Sequence, residues 1–285
     1  MNTIYNIIWS ATRNMFVVAS EFANGGNGIR NSVKITGLAA LMCTAVVNAA
    51  DLGPQSGASI ELNDNDVVTA DGQTNTTGVE SINTGGDGLQ VKGKAIINVS
   101  GETLSTRISL DNGVKNDLGV NTEIHVADTD ATQTSSKNTT GVLISGTNPG
   151  TEVTASGLII DVSGKNNVYG FKNSGKDSNV DLGSGSAITV STETDYRMGE
   201  VGDARGVYLQ GGSGSFKMDN GYIHSTSQDN SAWGIQSAGN AKIDLGANSH
   251  IITEGNNMTK GIELGDDGML GKVRISRSFL PKLTR

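Results

Sequence analysis

The sequence predicts an all-β fold, a right-handed parallel β-helix, following a helical N-terminal segment. Three observations carry this. After residue 50, helical periodicity of three and four is missing, and Val, Ile and Leu recur in alternating runs of two to four bounded by Gly, Asn and Asp. These runs return with a period near 27 residues, as coils do. Proline is scarce (3 residues) although glycine is abundant (39), which separates the chain from polar disordered sequence.

The first fifty residues contain two apolar stretches. The second has the order of an export signal: Arg30 and Lys34, an apolar core from Ile35 to Val47, then Ala49 and Ala50. About thirteen apolar residues are too few to cross a ~30 Å hydrocarbon layer, so the segment reads as removable, with cleavage after Ala49 or Ala50. Cys43 lies inside this core and is the only cysteine, so the mature chain has no disulfide. A lipid-modified cysteine wants a small residue before it, and Met42 is not small.

Residues 1–24 form an extension that an ordinary signal of about 15–30 residues does not need. Met1, Asn2, Ile4, Tyr5, Ile8, Trp9 and Ser10, followed by Phe16-Val17-Val18 and Ser20-Glu21, give a pattern that resembles the extended signal peptide of type V secreted proteins. These are the autotransporters of Gram-negative bacteria. The resemblance implies export, with the export machinery as a partner, and a passenger destined for the cell surface or outer membrane.

Removal of residues 1–49 takes Arg13, Arg30, Lys34 and Glu21 from the 21 basic and 29 acidic residues, leaving 18 against 28, a net charge of −10. Such a balance gives no electrostatic footprint for nucleic acid or an anionic membrane surface. No apolar run after residue 50 reaches spanning length.

Within residues 50–270, Gly followed by an apolar residue opens each unit: Gly113-Val114, Gly141-Val142, Gly170-Phe171, Gly206-Val207, Gly234-Ile235 and Gly261-Ile262. About ten residues later comes an alternating piece, Val180-Asp181-Leu182-Gly183 or Ile243-Asp244-Leu245-Gly246, with Phe216-Lys217-Met218 as a variant. A third piece follows: Ile188-Thr189-Val190, Ile223-His224-Ser225 or Ile251-Ile252-Thr253. Three short strands per unit, about eight units long, predict coils in which Val180, Leu182, Phe216, Met218, Ile243 and Leu245 face inward. Asp181, Lys217 and Asp244 face solvent in this scheme. The repeats are also similar to autotransporter passenger repeats. A β-sandwich has similar turn chemistry, but its strands recur every 8–12 residues without a longer period.

From Gly271 the composition turns basic, with Lys272, Arg274, Arg277, Lys282 and Arg285 and no acidic residue, and no alternating barrel strands are present. Residues 271–285 read as a separate basic tail: an electrostatic contact point, or the scrambled end of a truncated passenger. For a truncated chain the expected location is the periplasm.

Residues with chemical potential are dispersed. His125, His224 and His250 lack metal-ligand spacing, although His224 and His250 fall on the third strand of successive coils. Gly183–Ser186 and Gly212–Ser215 are not nucleophile elbows and read as turns. Asp64, Asp66 and Asp71, and Asp266-Asp267-Gly268, match neither calcium-loop pattern. Tyr208, Tyr222 and Trp233 read as core or stacking residues in preference to a sugar platform. No catalytic, cofactor or metal site is expected. The leading expectation is an adhesin-like stalk attaching to host or bacterial surfaces, not an enzyme. The alternatives are a remnant that is not displayed and a β-helical polysaccharide-degrading enzyme, which needs convergent carboxylates.

Overall fold

The computed structural model describes residues 5–10 and 15–20 and, within 49–270, all but 73–75, 82–84, 102–105, 112, 130–137, 146–147, 194–201, 211, 213 and 266–268. The chain divides into two units, Met1–Ala45 and Val46–Arg285.

In the first unit, Tyr5–Ser10 and Met15–Ser20 pair antiparallel, with Ile7 opposite Val18, Ile8 opposite Val17 and Trp9 opposite Phe16. This corrects the expected helix at these positions. β-Branched and aromatic residues lose rotamer freedom in a helix and pair well across strands, and these two segments contain little else at their centres. The signal core, Cys43 and the basic tail lie outside the described residues.

The second unit is built from three parallel sheets of eight strands, each strand pairing with its equivalents one coil before and after. This is the architecture of a right-handed parallel β-helix. Sheet 1 contains, among others, Glu152–Ser156, Asn179–Ser184, Ser215–Asp219 and Lys242–Asp244. Sheet 2 contains Ala95–Gly101, Glu123–Asp128, Ile159–Gly164, Ala187–Thr192, Tyr222–Ser227 and His250–Gly255. Sheet 3 contains Thr139–Ile144, Val168–Asn173, Ala204–Leu209, Ala232–Ser237 and Thr259–Leu264.

Strict register turns alternate residues into columns. In sheet 2, Ile97, Ile124, Ile160, Ile188, Ile223 and Ile251 stack on one another, fully buried up to Ile223. In sheet 1, Val153, Val180, Phe216 and Ile243 form the facing column. In sheet 3 it is Val142, Phe171, Val207, Ile235 and Ile262. The six residues expected inside are all buried, and Phe171 meets Phe216 edge-on with centroids 6.1 Å apart. One polar residue joins the sheet 1 column: buried Asn116 accepts from Leu89 N (2.9 Å) and donates to Val114 O and Glu152 O. Its amide bridges coils where Gly88–Val91 and Lys115–Val120 pair only at Gln90 and Asp117.

The recurring glycines separate into two kinds. Gly141, Gly170, Gly206 and Gly234 sit inside sheet 3 strands, next to the Ile column of sheet 2. A Cβ on Gly206 would lie 2.7 Å from the carbonyl oxygen of Gly234 and closer still to Ile223 Cγ2; Gly141, Gly170 and Gly234 meet the same obstacles one coil along. Close approach, not a turn, requires glycine there. Gly113-Val114 is not a member of this series, which corrects the expected first repeat: Gly113 lies at a turn with φ of 65°, and the equivalent pair is Arg107-Ile108, preceded by Gly78-Val79. Spacing alone cannot distinguish a turn glycine from a strand glycine. The true turn column runs between sheets 1 and 2, where Asn65, Gly93, Asn121, Gly157, Gly185, Asn220 and Asn248 all have positive φ. Asn and Gly are the residues that tolerate this left-handed conformation.

Gly206→Ala is therefore expected to destabilise the second unit by about 1–3 kcal/mol, the usual result of overpacking. Gly53→Ala, where an added Cβ meets nothing within 4 Å, should stay within about 0.5 kcal/mol of the parent. Chemical denaturation of both variants checks this.

Candidate binding groove

Because inward positions of sheet 2 are committed to Ile and Val, the intervening residues must face out. They too form ladders. One runs Thr69, Asn98, His125, Asp161, Thr189 and His224; beside it lies Asp71, Ser100, Ala127, Ser163, Ser191 and Thr226. The second ladder is made of small side chains over its centre, and the floor above it opens into a groove of about 500 Å³. Asn98, Ser100, His125, Asp161, Ser163 and Ser191 line it.

Much of the polar lining is already positioned. Ser100 Oγ donates to Asp71 (2.7 Å), and Ser163 Oγ donates to Val126 O (3.3 Å). Glu123 stands beside the groove, with Oε1 accepting from Lys94 Nζ at 2.6 Å and Oε2 lying 3.4 Å from His125 Nε2. The Lys94 bond outweighs burial, and with His125 it holds the Glu123 carboxyl below its ordinary range. An ionised Glu123 accepts hydrogen bonds; it is opposite in character to the raised carboxyl that donates a proton to a glycosidic oxygen. Ile159, the cross-strand neighbour of Glu123, exposes 39% of its surface.

The residues singled out from sequence have mostly structural surroundings. His224 and His250 lie on adjacent strands but out of register: His224 pairs with Ile252, and His250 with Tyr222. His224 Nε2 instead lies 3.2 Å from Thr226 Oγ1 and 3.7 Å from Glu254 Oε2. Buried Asp66 accepts from Ala50 N and Asn63 N, and Asp64 accepts from Lys94 N and Asn65 Nδ2. Ser186 Oγ donates to Leu182 O and accepts from Leu158 N, and Ser215 Oγ donates to Asn179 Oδ1. Asp266-Asp267-Gly268 falls outside the described residues. Among the described residues, no three His, Cys, Asp or Glu side chains gather as a metal site.

The Asp-Leu-Gly pieces prove to be corners. Asp117, Asp181 and Asp244 each accept a hydrogen bond from the amide of the glycine two residues on, at 2.9–3.0 Å. Trp233 and Tyr208 face out of sheet 3 beside Arg205, an association that sequence reasoning missed. Its signal was present: the residue before each strand glycine is outward in register, giving Tyr169, Arg205, Trp233 and Lys260 in turn.

The fold defines a class, the parallel β-solenoid. Residues 1–50 match the family described as the Extended Signal Peptide of Type V secretion system. The chain is also 30% identical over 250 residues to the "Probable autotransporter YcgV" of Escherichia coli (strain K12), an alignment that covers 78% of this chain and 24% of that protein. No solved structure matches it. Both matches support the type V autotransporter family for this chain, which spans about a quarter of the length of the curated relative it matches.

Glu123 gives the groove a pH signature. Its folded pKa lies below its unfolded value, so its contribution is present above the unfolded pKa and is lost as pH falls through the depressed one. Because the pair is part-exposed, the loss should be about 0.5 kcal/mol, and Glu123→Gln should remove it from stability curves measured between about pH 5 and pH 3.

Proposed function

We propose that the chain is the stalk of a surface-displayed passenger that attaches to other surfaces as an adhesin does. The observation that carries this is the sheet 2 face, where seven coils hold their outward hydroxyl, amide and carboxylate groups in register. Ladders spaced by ~4.8 Å suit an extended polymer that meets polar groups at every coil. The signal peptide supports delivery to the export machinery, and the likeness to a probable autotransporter supports display at the cell surface.

Latex beads coated with the full chain and washed over bacterial and epithelial layers test this reading. Coated beads should attach severalfold more than bare ones. Ala127→Tyr and Ser163→Tyr, which fill the groove from outward positions, should remove most of the difference while the β spectrum in circular dichroism is unchanged. Equal attachment of coated and bare beads would sink the adhesive reading, and full attachment of both groove variants would sink the role of this face.

A further inference from the structure

Sheet 3 carries a second outward face, unlike the rest of the acidic rod. Along one ladder, in register one coil after Thr140, come Tyr169, Arg205, Trp233 and Lys260. Along the other come Lys172, Tyr208, Gln236 and Glu263 over the same coils. Residues 51–270 carry 13 basic against 28 acidic side chains, yet three of those cations meet here.

Their arrangement is specific. The Arg205 guanidinium lies 4.5 Å from the Trp233 ring, 5.5 Å from Tyr169 and 5.7 Å from Tyr208. Asp203 (2.7 Å) and Gln236 (2.6 Å) accept its hydrogen bonds and fix the guanidinium plane. Lys260 is paired with Glu263. Lys172 Nζ lies 4.9 Å from the Tyr169 ring, so two cations address one aromatic ring. Among the described residues no carboxylate pairs with Lys172, although it is part-buried. Burial first, and then the Arg205 charge, push the Lys172 ammonium below its ordinary pKa. A part-buried ammonium pressed by a like charge costs stability, and an added anion offsets that cost. Tyr208, the cross-strand neighbour of Lys172, is the most open of the three rings: Tyr169 and Trp233 are buried and Tyr208 is not.

The geometry points to a binding site for an acidic saccharide on sheet 3, its carboxylate or sulfate held by Lys172 beside Arg205 and its ring packed on Tyr208. The cations supply charge-assisted hydrogen bonds, and the phenol ring supplies an apolar face with a polar tip, which a sugar needs and a bare anion does not. The site deepens the adhesive reading and rests on it, since it names a ligand class for the passenger.

The test uses the full chain against immobilised polygalacturonate (carboxylate), heparin (sulfate), dextran (neutral) and poly-glutamate (an acidic polypeptide). Binding to one or both acidic polysaccharides, weaker at high salt and absent from dextran, is the expected result. Lys172→Met should weaken it at least tenfold and Tyr208→Ala at least threefold, while Lys172→Arg retains it. The thermal midpoint of Lys172→Met should equal or exceed that of the parent. The proposal is overturned if no acidic polysaccharide binds, if poly-glutamate binds as well as they do, or if Lys172→Met binds unchanged. A midpoint that falls together with binding in Lys172→Met assigns the lysine a structural role and overturns it too. Bead attachment that persists without polysaccharide binding rejects this site alone; wild-type beads that fail to attach reject the adhesive reading itself.

Discussion

The structure depends on parallel register held from coil to coil. A single coil of three short strands leaves its inward residues half uncovered and its backbone groups unpaired on both sides, so neither burial nor hydrogen bonding is complete until the next coil is laid down. Register then acts as a constraint on sequence: a shift of one residue would move Ile124, Ile160 and Ile188 from the core to solvent together. The glycine column at the sheet 2–sheet 3 boundary sharpens this. Gly141 to Gly234 lie so close to the next coil's carbonyl oxygens that only an absent Cβ lets the Ile column and the sheet 3 backbone meet.

The same constraint explains why so acidic a chain shows so little acidic chemistry. Asp66 and Asp64 cap backbone amides at the first described turn, and Asp117, Asp181 and Asp244 close the corner before a positive-φ glycine. Each satisfies a donor that the bent backbone would otherwise leave unpaired. Stacking repeats the corner, and repetition of the corner repeats the aspartate.

How much was legible in the sequence follows from which residues the stacking controls. The all-β character, the eight coils and the inward set of Val180, Leu182, Phe216, Met218, Ile243 and Leu245 were readable, because burial imposes a period of two within strands and near 27 between coils. Gly113 was misassigned because a turn and a close approach both select glycine, and a variable loop can shift a turn glycine into the expected spacing. The strands at Tyr5–Ser10 and Met15–Ser20 were read as helix because position in a signal outweighed their β-branched content. The groove was not readable, since small outward residues such as Ala127, Ser163 and Ser191 look like any turn-rich polar sequence until register places them side by side.

Outward positions of a solenoid are the ones the fold leaves free, and this gives their composition its meaning. In sheet 3 the three coils preceding Tyr169 place Thr77, Thr106 and Thr140 at the same register position, a β-branched residue that suits a strand. The change at Tyr169 to rings and guanidinium lies outside the core cluster, which contains the inward residues Phe171, Val207 and Ile235 but neither Tyr169 nor Trp233. Arg205 could be explained as a brace, because Asp203 and Gln236 hold it and three rings pack around it. Lys172 resists that explanation, because its charge is part-buried against another cation. A side chain that the fold does not require, in a setting that disfavours its charge, is best accounted for by a ligand that supplies the missing anion.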